Sequence, residues 1–139
     1  MKTRIKLTQA DKDHIIKQIT TKLSFRPDVA FAYLHGSATG EQLIGDIDIA
    51  IYFKHNVTQD QQNDITLSLS MELSHELGLP VDVQPLNQTT VGFRFHVTEG
   101  RVLFSCDEDF RAEFVVSTWQ EYHDFKPLME QNLRDLLDL

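Results

Sequence analysis

Residues 46–53 read DIDIAIYF and form the most regular segment of the chain. Apolar side chains occupy every second position: Ile47, Ile49, Ile51 and Phe53. Because successive side chains of a strand point to opposite faces, this alternation predicts a β-strand. One face of the predicted strand is apolar, and the other begins with the carboxylates of Asp46 and Asp48.

Helices and strands are predicted on both sides of this segment. Two capping-box patterns, at Thr8 to Asp11 and at Thr58 to Gln61, mark the starts of two helices. We expect the first helix over residues 8–24 and the second to end at Gly78. The other predicted elements are strands at 29–34, 80–83 and 101–105, helices within 88–99 and 108–121, and a final helix starting near Lys126-Pro127. This order predicts an α+β fold, a sheet with helices packed against it.

The length and charge of the chain limit its function. Its 139 residues carry a net charge of −8, and residues 107–139 alone account for −6. We expect one domain over 1–139, with 107–139 as a C-terminal helical extension. An acidic chain is a poor general binder of nucleic acid, and no segment has the apolar length of a membrane span. The single cysteine fits a cytoplasmic protein.

The acidic C-terminal region has two interpretations. It is the surface of an ordinary acidic protein, or it contacts a basic partner.

Three carboxylates form a candidate metal site. Asp46 and Asp48 share one face of the predicted strand, and Asp82 lies between Val81 and Val83 on another strand. Carboxylates that lie close together repel one another, and a hard divalent cation such as Mg²⁺ removes the conflict. The alternative is a solvated outer face of the sheet.

A candidate anion site precedes the carboxylates. The apolar strand at 29–34 runs directly into His35, Gly36 and Ser37. Glycine lets backbone N–H groups approach phosphate oxygens, and a serine hydroxyl adds a donor. A nucleoside triphosphate bound with Mg²⁺ requires both an anion site and a cation site.

The combination of Gly36-Ser37, eight further residues, Asp46-x-Asp48 and a third aspartate resembles the polymerase-β-like nucleotidyltransferase superfamily. Within it, the sequence is most similar to the minimal nucleotidyltransferases, specifically the MntA-type antitoxins paired with HEPN-domain toxins. The resemblance implies a polymerase-β-like core with a small mixed sheet.

The resemblance also implies roles for these residues. Gly36 and Ser37 would hold the phosphates of ATP, and Asp46, Asp48 and Asp82 would bind two Mg²⁺ ions. Asp82 would also help to deprotonate the attacking hydroxyl. The implied activity is a Mg²⁺-dependent transfer of AMP from ATP to a tyrosine of a HEPN ribonuclease toxin, which neutralises the toxin.

One departure from the family pattern concerns the loop after Ser37. Many relatives carry an arginine there, whereas this chain reads Ala-Thr-Gly-Glu over 38–41. Arg94 and Lys54 are candidates to supply the missing positive charge. Two alternative functions also stay open: an antitoxin that neutralises by binding alone, and a nucleotidyltransferase for a small molecule such as an antibiotic.

Overall fold

A four-stranded mixed sheet lies at the centre of the computed structural model, which describes residues 5–36, 43–44 and 46–138. Its strands lie side by side in the order Val81–Pro85 (β5), Ile47–Phe53 (β4), Val29–His35 (β2) and Arg101–Ser105 (β6). β4 pairs parallel with β5 and antiparallel with β2, and β2 pairs antiparallel with β6. Two short strands pair with each other outside this sheet: Ile5–Lys6 (β1) and Leu43–Ile44 (β3).

The described helices are Gln9–Ser24 (α1), Gln59–Leu77 (α2), Val91–Thr98 (α3) and Glu108–Leu137 (α4). Both predicted capping boxes are present, with Thr8 capping α1 and Thr58 capping α2. Gly78 ends α2 in the left-handed conformation, at φ 67°, as predicted. Within the described ranges, no helix is long and apolar enough to cross a membrane.

The larger core lies between one face of the sheet and helices α1 and α2. All four apolar positions of β4 are buried there, as the alternation predicts. Their partners include Ile19 and Leu23 of α1 and Leu69 and Leu73 of α2. Burying this apolar area supplies the main driving force for folding.

A smaller core covers most of the opposite face. Phe31, Tyr33 and Ala50 are buried there, beneath α3 and α4. The ring of Phe31 lies 5.1 Å from that of Phe114 of α4. This cover explains why all seven residues of β2 are buried. On the second face, the side chains of Asp46 and Asp48 are half-buried.

Two serine hydroxyls of α2 bind the outer edge of the sheet. The backbone N–H of Val81 donates to Ser74 Oγ at 2.9 Å, and that of Val83 donates to Ser70 Oγ at 2.8 Å. These bonds pair backbone donors of the edge strand β5, which would otherwise be available to another chain. They also fix the strand that carries Asp82.

The prediction of two C-terminal helices is wrong, because α4 runs without interruption from Glu108 to Leu137 and contains Pro127. Proline usually breaks a helix because it has no N–H to donate to the carbonyl four residues earlier. That carbonyl belongs to His123, and both His123 and Pro127 are exposed. Water can hydrate the carbonyl at such a position, so the helix continues.

The close approach of Gly100 to β2 generates a stability prediction. A Cβ at Gly100 would collide with the backbone carbonyl oxygen of Leu34, whereas a Cβ at Gly92 would meet nothing within 4 Å. We expect Gly100→Ala to lower the free energy of unfolding by about 2 kcal/mol. Gly92→Ala, in α3, is the control and should be neutral or slightly stabilising. Urea denaturation measures both, and equal stability of the two variants would contradict this account.

Candidate active site

Three strands place Asp82, Asp48 and His35 in one row across the sheet. Asp48 is the register partner of Asp82 on β5 and of His35 on β2. Register partners on neighbouring strands share a face, so the three side chains leave the same side of the sheet. Asp46 lies two residues before Asp48, and the N–H of the intervening Ile47 donates to the carbonyl of Pro80 at 2.9 Å. The two aspartate-bearing strands therefore lie side by side, with Asp48 and Asp82 in register.

Gly36 lies directly against the carboxylate of Asp48. Its φ of 74° is in the left-handed region, and a Cβ at this position would lie 2.5 Å from Asp48 Oδ2. A larger residue would therefore meet both backbone strain and a steric conflict. The structure thus brings one residue of the predicted anion site next to one carboxylate of the predicted metal site. Ser37, the other half of the anion site, lies outside the described residues.

The third carboxylate has a hydrogen-bond partner of its own. Gln84 Nε2 donates to Asp82 Oδ2 at 2.8 Å. Gln84 lies two residues after Asp82, on the same face of β5, and both side chains are exposed. This hydrogen bond orients Asp82 along its own strand. Sequence reasoning missed Gln84, although the period of two that identified Asp82 also places Gln84 on that face.

The donor chemistry of this row fits a hard cation. Across residues 5–36, 43–44 and 46–138, there is no cluster of three His, Cys, Asp or Glu side chains that could hold a metal ion. Mg²⁺ does not require one, because it keeps several waters and is bound by one or two carboxylates together with substrate phosphates. Asp46, Asp48 and Asp82 offer oxygen donors, and Gly36 leaves space for the Asp48 carboxylate.

His35 is a buried neighbour of the carboxylates. Its ring packs edge-on against Phe93 at 5.5 Å and against His96 at 6.1 Å, both on α3. Burial is the largest influence and lowers the pKa of His35; His96 lowers it further, and Asp82 opposes the shift. The imidazole is therefore neutral at neutral pH and adds no positive charge beside Asp48.

The two predicted substitutes for the missing arginine are placed elsewhere. Lys54 follows the far end of β4, and that strand spans about 20 Å from its Asp48 end. Arg94 Nη2 lies 3.5 Å from Glu121 Oε2, so α4 engages this guanidinium. The position of Lys54 follows from its distance along β4, but sequence spacing could not reveal that of Arg94, because it depends on how α3 and α4 pack.

The part of the chain that contains the glycine turn and the Asp-x-Asp segment matches a known family. The model of the polymerase β nucleotidyltransferase family matches residues 17–109. The chain belongs to this family. The matched range contains Gly36, Asp46, Asp48 and Asp82, so the resemblance seen in the sequence is confirmed at the level of the family. No curated protein matches the chain.

Solved structures of antitoxins share this nucleotidyltransferase fold. One is a complex of tri-AMPylated Shewanella oneidensis HEPN toxin with MNT antitoxin, at 21% identity and a TM-score of 0.65, covering 94% of this chain and 99% of that one. A MntA–HepT complex gives the same values. A toxin–antitoxin structure with AMP-PNP is 22% identical, with a TM-score of 0.65 and coverage of 91% and 98%. These matches confirm the predicted α+β, polymerase-β-like fold.

The contact between Gly36 and Asp48 can be tested against Gly78, which also has a positive φ but nothing within 4 Å of its Cβ position. We expect Gly36→Ala and Gly78→Ala to lose similar stability, about 1–2 kcal/mol, from backbone strain. Only Gly36→Ala displaces the Asp48 carboxylate, so only it should weaken binding of ATP with Mg²⁺, by at least about tenfold. Calorimetric titration measures the affinity, and equal affinity of both variants would contradict the proposed contact.

The lowered pKa of His35 predicts a pH-dependent stability. The ordinary value of 6.5 applies to the unfolded chain, and the folded pKa lies below it. On acidification the unfolded state therefore takes up a proton first, so stability is full above about pH 6.5 and falls as the pH drops below it. Urea denaturation from pH 7.5 to 5 measures this loss. His35→Gln should reduce the loss, whereas His55→Gln, at an exposed position, should not; an unchanged profile in His35→Gln would contradict the assignment.

Proposed function

We propose that this nucleotidyltransferase is an antitoxin that transfers AMP from ATP to a tyrosine hydroxyl of a cognate HEPN ribonuclease toxin, with Mg²⁺ as cofactor. The observation that carries the proposal is the contact of Gly36 with Asp48, in a row that also contains Asp82. A nucleotide bound with Mg²⁺ carries phosphate and metal side by side, so it suits a site where a phosphate-binding residue touches a metal-binding carboxylate. The family fold adds independent support.

In the proposed reaction the tyrosine oxygen attacks the α-phosphorus of ATP. A new P–O bond forms, the bond between the α-phosphorus and its bridging oxygen breaks, and pyrophosphate leaves. Asp82 accepts the proton of the hydroxyl, and its hydrogen bond from Gln84 orients it. Gly36 and Ser37 hold phosphates, while Asp46 and Asp48, with Asp82, would hold Mg²⁺. When bound, Mg²⁺ would neutralise the charge that develops on the phosphoryl oxygens.

The proposed partner rests on the similar structures. They include a HEPN toxin carrying AMP groups with its MNT antitoxin, and a toxin–antitoxin structure with AMP-PNP. This chain covers 99% of the MNT antitoxin, so the two have nearly the same extent. We propose the same partner and nucleotide for this chain. We also propose that the chain is a single minimal domain with α4 as its C-terminal extension. The proposed use of ATP fits a cytoplasmic protein.

The proposal is tested by following labelled AMP from ATP onto a cognate HEPN toxin. We expect transfer in the presence of Mg²⁺ and a loss of at least about 100-fold in Asp46→Asn/Asp48→Asn, because the metal ligands are removed. Asp64→Asn, on the exposed face of α2, is the matched control and should transfer at the wild-type rate. EDTA should abolish transfer.

The outcomes also distinguish the alternative of neutralisation by binding. Label absent from the toxin, or equal transfer by the double variant, would refute the catalytic proposal. If the double variant still protects cells from the toxin at equal expression, masking accounts for neutralisation. Loss of protection in that variant alone supports catalysis.

A further inference from the structure

The distal half of α4 is uncovered. Every described residue from His123 to Asp138 is exposed. Six of them are large apolar residues, which we call the distal stripe: Phe125, Leu128, Met129, Leu133, Leu136 and Leu137. Leu133 is 57% exposed and Leu137 is 75% exposed, so these side chains gain almost nothing from the fold described above.

The distal stripe occupies one side of the helix. Its members are separated by three, one, four, three and one residues, which places all six within about half of the helix circumference. The proximal half of the same helix is packed: Thr118 is buried, Trp119 Nε1 donates to Thr98 at 3.0 Å, and the Tyr122 ring stacks on Phe95 at 3.8 Å. The apolar pattern thus continues past the point where the domain stops covering it.

An apolar helix face of this kind needs a cover. Exposed contiguous apolar patches mark interaction sites in proteins. The segment from Phe125 to Leu137 is about 20 Å long, which is too short for a pair of helices to reach the roughly 800 Å² per partner of a stable interface. A groove that contacts the helix on both flanks buries more of it than a second, identical helix does.

The charge around the distal stripe favours a basic partner over a second copy of the chain. Residues 123–139 carry four Asp or Glu against two Lys or Arg, a net −2 of the −6 of residues 107–139, so two copies would bring like charges together. The location favours the toxin as well. α3 and α4 cover the same face of the sheet that bears Asp48, and α3 contacts His35. A partner seated on distal α4 therefore lies on the side of the sheet where the proposed reaction takes place.

We propose that the distal stripe of α4 docks into an apolar groove with a basic rim on the HEPN toxin. The inference rests on the proposed function and adds to it the surface that recruits the acceptor. Docking on α4 holds the acceptor protein beside the row of carboxylates without using them. The stripe thus contributes to the affinity for the toxin, and the row contributes to the chemistry.

The test compares two matched pairs of substitutions. Leu133→Glu/Leu137→Glu places charge in the distal stripe, and Leu67→Glu/Met71→Glu makes the same change at the same spacing on exposed positions of α2. We expect the stripe variant to bind the cognate HEPN toxin at least about 100-fold more weakly in calorimetric titration. The control should bind within about threefold of wild type. Both should keep the wild-type affinity for ATP with Mg²⁺ and the wild-type circular dichroism spectrum.

Transfer kinetics and salt give two further measurements. The stripe variant should raise the KM for the toxin and leave kcat unchanged, because the groups of the proposed reaction lie elsewhere. Raised salt should weaken binding of wild type. Glu130→Gln/Asp135→Asn should reduce that salt dependence, and a salt-independent affinity would refute the basic rim.

The remaining outcomes separate this inference from the proposed function. If wild type binds the toxin and the stripe variant binds equally well, the docking inference alone is wrong. If wild type does not bind the toxin, the proposed function fails and the docking inference fails with it. If light scattering finds a dimer of the chain alone that Leu133→Glu/Leu137→Glu dissociates, the occupant is a second copy and the toxin is excluded.

Discussion

The antiparallel pairing of β2 with β4 is the constraint on which the fold and the site both depend. It places Leu34 beside Ile49 in the larger core and Tyr33 beside Ala50 in the smaller one. The same register sets His35 opposite Asp48 and brings the following Gly36 against the Asp48 carboxylate. A slip of one residue would turn the isoleucines of β4 away from α1 and α2, so the apolar alternation that fixes the fold also fixes the site.

Much of the fold follows from local rules. The period-two alternation predicts β4, and two capping boxes with Gly78 predict the bounds of α1 and α2, because these signals act within a few residues. The rule fails at Pro127, where local chemistry predicts a helix start but an exposed carbonyl permits continuation. The burial of Ala50 could not be predicted from the local sequence either, because it depends on α4, which is distant in the sequence.

The candidate site, like the fold, could be predicted from the sequence only in part. Alternation predicts that Asp46 and Asp48 share a face, and strand pairing then places Asp82 beside Asp48. Sequence alone could not predict which cations reach the site, because long side chains are directed by tertiary packing. Arg94 illustrates this limit, since its neighbours on α3 face His35 while its own guanidinium meets Glu121 of α4. In the proposed reaction, a magnesium ion bound with the nucleotide would add positive charge beside these carboxylates.

The negative charge of the chain influences which partner can cover the distal stripe. An uncovered apolar helix face promotes self-association, and a net charge of −8 opposes it by repulsion between copies. In the proposed complex, the same charge would raise the encounter rate with a basic partner, whose groove would then bury the distal stripe. Apolar contact alone would not distinguish the toxin from a second copy of the chain, because any apolar groove can bury leucines. The acidic residues of α4 would therefore provide the specificity, and the distal stripe would provide the affinity.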